Sequence, residues 1–201
     1  MRTVLMILVA LALSIALAAC DRDAHKPLGP RAQKTDLQVL KDVPPFEFAE
    51  RGGGEVSRES MLGRVWVAAF IFTNCKTTCV TMCMEMAGLQ EDFEKDKDFR
   101  IVATSVDPER DSLEVLAKFG KNYDADPERW YFLRGEIAEV KKFAHEGLMI
   151  AWHPDDPLIH SSYFVLVDRQ GRIRGYYMQT DPERMDKLRV DIRTLLDEKT
   201  P

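Results

Sequence analysis

The chain opens with a hydrophobic stretch unlike anything that follows it. Arg2 precedes an apolar run from Val4 to Leu17 that only Ser14 interrupts. This run is short of the roughly 20 residues a membrane-spanning helix needs, and it has the length of the apolar region of a secretory signal. From Asp21 to about Lys41 the sequence is charged, carries Pro27, Gly29 and Pro30, and lacks apolar periodicity, which predicts a flexible tether. Regular patterning starts near Asp42. Phe46-Glu47-Phe48 alternates, and Glu55-Val56-Ser57 returns after Gly52-Gly53-Gly54, predicting two short strands around a turn. No helix opening or Lys-Ser/Thr pair follows those glycines, so they do not form a phosphate loop.

Val65 to Phe72 is a continuous apolar run, as expected of a central strand covered on both faces. Met82, Met86, Leu89 and Phe93 then recur at three- and four-residue intervals, predicting a helix from about Thr78 to Glu94. The pattern continues with a strand at Phe99 to Val106 and a helix at Ser112 to Tyr123. A short strand at Trp130 to Leu133 precedes a helix at Ile137 to His145 that turns Ile137, Val140, Phe143 and Ala144 inward. A hairpin of Tyr163 to Val167 and Ile173 to Met178 folds around Arg169-Gln170-Gly171, and a last helix covers Pro182 to Leu196. Strands alternating with helices imply parallel pairing, and the closing hairpin makes the sheet mixed. The fold class is α/β: a thioredoxin-like, three-layer domain over residues 42–201 with an inserted strand and helix.

Composition changes this picture little. The chain has 201 residues, 45% hydrophobic and 30% charged, with a net charge of −5. That suits one ordinary globular domain and argues against electrostatic attraction to nucleic acid. The end of the leader is more informative. Leu17-Ala18-Ala19-Cys20 followed by Asp21-Arg22-Asp23 resembles the lipobox of bacterial lipoproteins, in which cleavage precedes a cysteine that carries the lipid. The expectation is a signal peptide at 1–19, a lipid on Cys20, and a tether through residue 41. The domain would then be anchored to the bacterial inner membrane, for which Asp21 resembles a retention signal, and would face the periplasm.

A lipidated Cys20 leaves three cysteines, at 75, 79 and 83. An odd set within nine residues makes a poor structural staple, because short loops gain least from closure. Redox chemistry or metal binding is the better account in an oxidising compartment. Cys75 and Cys79 lie where a helix should begin, and a helix N-terminus favours a thiolate; Lys76 adds a positive charge. Three residues between them give a wider loop than the two of Cys-x-x-Cys, which suits an ion held between two sulfurs. Soft thiolates select Cu(I), and imidazole suits copper in both oxidation states. In a thioredoxin arrangement the loop entering the strand at Tyr163 lies against the cysteine turn, which gives His160 a physical reason to reach both sulfurs. His153, His145 and His25 read as a solvent-exposed, a helix-end and a tether histidine. Met82 and Met86 read as core, with Met84 pointing elsewhere.

Three segments together carry a resemblance. Phe72-Thr-Asn-Cys75-x-x-x-Cys79, Ser105-Val-Asp107-Pro108-Glu-Arg-Asp111 and His160-Ser-Ser-Tyr-Phe-Val-Leu-Val-Asp168 resemble the Sco/SenC family in order and spacing, over about residues 42–197. The resemblance implies a membrane-anchored thioredoxin-like protein that binds Cu(I) or Cu(II) through Cys75, Cys79 and His160. It also implies a role in building the binuclear copper centre of cytochrome c oxidase subunit II, or of another copper protein, with a periplasmic copper donor upstream. Some members of the family act instead as thiol–disulfide reductants, for which Cys75 and Cys79 would form a redox-active disulfide. Departures from the family pattern are Lys76 and Val80 where proline is usual, and the additional Cys83. Cys83 is expected to remain a free thiol outside the copper site. Asp107 is a candidate accessory residue facing the site or the partner, and Asp111 reads as the N-cap of the helix that follows. A peroxidase reading needs one activated cysteine framed by arginine and threonine, and no such motif stands out beside Thr73 and Thr78.

Overall fold

A computed structural model describes residues 37–151 and 162–198. The chain divides into two units, Met1–Gln33 and Lys34–Pro201, and all the described residues belong to the second. The leader, Cys20, His25, His153 and His160 lie outside the described residues.

The second unit is a three-layer α/β structure. Its strands are β1 (Lys41–Asp42), β2 (Glu47–Glu50), β3 (Glu55–Ser57), β4 (Val65–Ile71), β5 (Phe99–Ser105), β6 (Trp130–Arg134), β7 (Tyr163–Val167) and β8 (Arg172–Met178). They form one sheet in the order β1-β8-β7-β4-β5-β6-β2-β3. β4, β5 and β6 run parallel, and the other pairings are antiparallel. The helices are α1 (Arg58–Met61), α2 (Thr78–Asp92), α3 (Leu113–Lys121), α4 (Ile137–Lys142) and α5 (Pro182–Asp197). The thioredoxin-like class read from the pattern is therefore the one observed.

Every residue of β4 is buried, as its unbroken apolar run requires of a strand packed on both faces. Val65, Val67, Ala69 and Ile71 face the layer containing α2, α3 and α5, and Trp66, Ala68 and Phe70 face the opposite one. On the first face α2 buries Cys79, Met82, Cys83, Met86 and Leu89, the spacing of one helical stripe. Met84 is 64% exposed. On the second face Phe46, Phe48 and Phe143 pack around Trp66, with the Phe46 and Phe143 ring centroids 4.6 Å apart.

Three details differ from the pattern-based expectation. The helix predicted over Ile137 to His145 stops at Lys142 and continues as a π turn, Phe143–Gly147. The wider turn lets Phe143, Ala144, Gly147 and Leu148 all bury against the sheet, while Ile137, at the first position of α4, is only half-buried. Secondly, the N-cap of α3 is Ser112, whose hydroxyl accepts from the Val115 N–H, and not Asp111. Thirdly, the fold takes in the chain before Asp42. Lys41 pairs with Ile173, and the Arg174 guanidinium donates to the Leu37 carbonyl.

Topology sets where chemistry can sit. The cysteine loop leaves the C-terminal end of β4, next to the C-terminal ends of β5 and β6. β7 runs antiparallel to β4, with Val165 opposite Ala68 and Val167 opposite Trp66. The segment entering β7 therefore arrives at the same end of the sheet as the cysteine loop. The turn Asp168–Gly171 lies at the other end, about 20 Å away by the rise of a seven-residue strand. Gly171 there takes a φ of +75°, a left-handed conformation that suits glycine.

Candidate functional site

The site begins with a tight turn. The Cys75 N–H donates to the Phe72 carbonyl at 3.3 Å, closing Phe72-Thr73-Asn74-Cys75 as a four-residue turn directly after β4. Thr77 is the N-cap of α2, yet its side chain makes no capping hydrogen bond. The acceptor is supplied from two residues earlier: the Cys79 N–H donates to the Cys75 sulfur at 3.4 Å. The Phe72 N–H in turn donates to the Cys79 sulfur at 3.5 Å. Cys75 Sγ thus takes the place of a capping oxygen at the end of the helix where partial positive charge accumulates.

The two sulfurs differ in character. Cys75 is partly exposed, whereas Cys79 is fully buried. Burial pushes the Cys75 thiol up, but the N–H groups of Cys79 and Thr77 and the neighbouring thiol and hydroxyl outweigh it and hold the group below the ordinary thiol value. Burial pushes the Cys79 thiol well above that value, and the donated Phe72 N–H offsets only part of the rise. Cys83, one turn on and also fully buried, is pushed up to about 12 by burial and by the charge on Cys75. Lys76 is exposed. Val80 uses the N–H that a proline would lack, donating it to the Thr77 carbonyl at 3.1 Å.

A carboxylate that sequence reasoning assigned to a helix cap braces this turn. Asp111 is fully buried. It accepts from the Thr73 hydroxyl at 2.5 Å, from the Thr73 N–H at 3.2 Å and from the Ser105 hydroxyl at 2.6 Å. Leaving any of these donors buried and unpaired would cost about 1–3 kcal/mol. The carboxylate that the sequence singled out, Asp107, receives the Arg110 guanidinium at 2.9 Å. It lines a groove of about 310 Å³ with Pro108, Arg134 and Ile137. The Ser105 hydroxyl also accepts from the Asp107 N–H, so the turn carrying both aspartates is tied to the end of β5.

His160 cannot be placed against the sulfurs, since it lies outside the described residues, but the end of its loop can be followed. The Ser162 carbonyl accepts from the Gln179 N–H at 2.8 Å, and the Gln179 side chain lies 3.4 Å from the Thr81 hydroxyl in the first turn of α2, whose nearer acceptor is the Thr78 carbonyl at 2.9 Å. Gln179 therefore bridges the loop entering β7 and the cysteine helix. His145 is exposed in the π turn. Among the described residues, no group of three or more His, Cys, Asp or Glu side chains is arranged to hold a metal.

Known proteins resemble this chain in sequence and fold. A model of the SCO1/SenC family matches residues 35–197. The chain belongs to that family. It is 37% identical over 167 residues to the SCO1 protein homolog of Bacillus subtilis, covering 78% of this chain and 86% of the relative. A solved structure of BsSco, described as a Sco-family cytochrome c oxidase assembly protein with a disulfide switch, is 36% identical. It has a TM-score of 0.70 and covers 81% of this chain and 98% of that one. The copper-bound structure of Bradyrhizobium japonicum ScoI, 22% identical and covering 77% of this chain and 99% of that one, shares the fold with a TM-score of 0.63.

The contrast between the sulfurs generates a prediction. With iodoacetamide at neutral pH, Cys75 should be modified at least tenfold faster than Cys79 or Cys83, because it alone combines exposure with a lowered thiol value. Cys83 should react only when the protein is unfolded. Peptide mapping after timed quenching checks the order, and early labelling of Cys83 in folded protein would contradict it.

Proposed function

We propose that the chain is a copper-binding metallochaperone that holds the ion between Cys75 and Cys79, with His160 as third ligand. We further propose that it delivers copper to the binuclear centre of cytochrome c oxidase subunit II. The observation that carries this reading is the pair of sulfurs at the start of α2, one exposed for exchange and one buried, in a chain of this family. Two thiolates and an imidazole form a soft, low-coordinate set that suits Cu(I) and still accommodates Cu(II). Cys75 lies in the loop before α2 with its sulfur against the Cys79 N–H, so an ion arriving at the exposed Cys75 would meet the buried Cys79 sulfur next. The bridge through Gln179 supports His160 as the remaining ligand, because it ties the end of that histidine's loop to α2. Copper in the solved Bradyrhizobium structure supports the same choice of ion.

A second reading has its own support in the asymmetry of the thiols and in the switch described for BsSco. The Cys75 thiolate attacks a target disulfide, displacing one thiolate and forming a mixed disulfide. Cys79, losing its proton, then displaces the second target thiolate. The products are the Cys75–Cys79 disulfide and two reduced target cysteines. Such a reductase prepares copper-ligand cysteines on the oxidase, and His160 has no part in it. The same fold serves both readings, and copper retention separates them.

The chaperone reading predicts one copper ion per chain after anaerobic loading and desalting, measured by metal analysis. His160→Ala should weaken Cu(II) binding at least tenfold and shift the thiolate-to-copper visible band, while leaving the Cys75–Cys79 disulfide able to form. A wild-type chain that retains no copper would leave the reductase reading; an unchanged band in the variant would remove His160 from the site.

The anchor belongs to the same proposal. Among the described residues no helix is long and apolar enough to cross a membrane, and a lipid on Cys20 would hold the domain at the inner-membrane surface on the periplasmic side. Cys20→Ser should abolish incorporation of labelled fatty acid into the protein with copper binding intact. Continued labelling of the variant would remove Cys20 as the lipid site.

A further inference from the structure

We infer that Asp111 is a positioning residue for the cysteine site, acting through Thr73 to hold the turn that aims the Cys75 sulfur. The inference rests on the reading that Cys75 and Cys79 form the site, and goes beyond it by naming what sets their geometry.

Thr73 is the second residue of the turn that ends at Cys75, and Asp111 holds it at two points. The carboxylate takes the Thr73 N–H and the Thr73 hydroxyl, fixing both backbone and side chain of that residue. Its other support is the Ser105 hydroxyl at the C-terminal end of β5. β5 pairs with β4 along its whole length, Ile71 opposite Ser105, and the Val106 N–H donates to the Ile71 carbonyl. The carboxylate is therefore attached to the paired centre of the sheet on one side and to the turn after β4 on the other. A turn fixed at Thr73 leaves Cys75 little freedom, since its own N–H is bonded back to Phe72. The result is a sulfur held opposite the Cys79 N–H.

Substitution chemistry separates this role from ordinary buried support. An amide in place of the Asp111 carboxylate must turn an NH2 toward Thr73 or Ser105. If the NH2 takes either oxygen's place it meets the Thr73 N–H, because both oxygens lie within 3.4 Å of that nitrogen. Valine at 73 removes only the hydroxyl while keeping the shape, and serine keeps the hydroxyl. Asp168 provides a matched comparison. It is likewise a buried aspartate bonded to several donors, among them Arg172, Arg174 and the Gln170 N–H, but it sits at the opposite end of the sheet.

The test uses the full chain in detergent, reduced, as wild type and as Asp111→Asn, Thr73→Val, Thr73→Ser and Asp168→Asn. Hydrogen exchange of the peptide covering residues 72–80 is read by mass spectrometry, and copper affinity by competition with a chelator. Asp111→Asn and Thr73→Val should exchange at least tenfold faster over that peptide and bind copper at least tenfold more weakly. Thr73→Ser should match wild type, and Asp168→Asn should leave both readings unchanged whatever it does to the melting temperature. If Asp111→Asn fails to fold, Thr73→Val against Thr73→Ser carries the comparison. Folded variants with wild-type exchange and affinity would overturn the inference, as would an equal effect from Asp168→Asn. A wild type that binds no copper would end the chaperone proposal, and the exchange readings alone would then decide the role of Asp111.

Discussion

The Cys79 N–H donates to the Cys75 sulfur, and the surrounding structure can be traced as the supports that keep that bond in place. A helix start leaves backbone N–H groups without intrahelical partners, and here Thr77 does not satisfy them with its side chain. The sulfur does. For this to happen the chain must leave β4, turn within four residues and present Cys75 back toward α2. Burial of β4 on both faces fixes where the turn begins, and the stripe Cys79, Met82, Cys83, Met86 and Leu89 fixes how α2 lies on the sheet.

The same bond explains why two cysteines in one motif differ chemically. A sulfur that accepts N–H groups at a helix terminus is stabilised as the thiolate, whereas one sealed under the sheet is not. Cys75 is the sulfur that meets the outside, and on the proposed readings Cys79 would complete the copper bond or disulfide that Cys75 begins. Cys83 shares the burial of Cys79 without the donated N–H of Phe72, and its thiol is held high. Burial thus separates Cys75, which meets solvent, from Cys79 and Cys83, and the Phe72 N–H donated to Cys79 separates those two.

Much of this was legible in the chain. An unbroken apolar run fits a strand with both faces covered, and apolar residues at three- and four-residue intervals after Cys-x-x-x-Cys fit a helix laid on it. The features that escaped depend on contacts distant in sequence or on a change of period. Asp111 next to Ser112 offers two equally good caps, and nothing local reveals that its oxygens meet Thr73, 38 positions away. The helical pattern of Val140, Phe143 and Ala144 runs smoothly into the π turn, whose extra residue shows only when Leu148 is seen buried beside them. Lys41 pairs with β8 through backbone groups that any residue carries, so its polar side chain read as tether.

In the proposed copper site two sulfurs, aimed by the turn after β4, and one imidazole would hold the ion. X-ray absorption at the copper edge of the loaded, reduced protein reads the ligand set directly. Two sulfur scatterers and one nitrogen are expected in the wild type, with the count unchanged when Cys83 is replaced by serine. A spectrum requiring three sulfurs, or one with none, would contradict this ligand set.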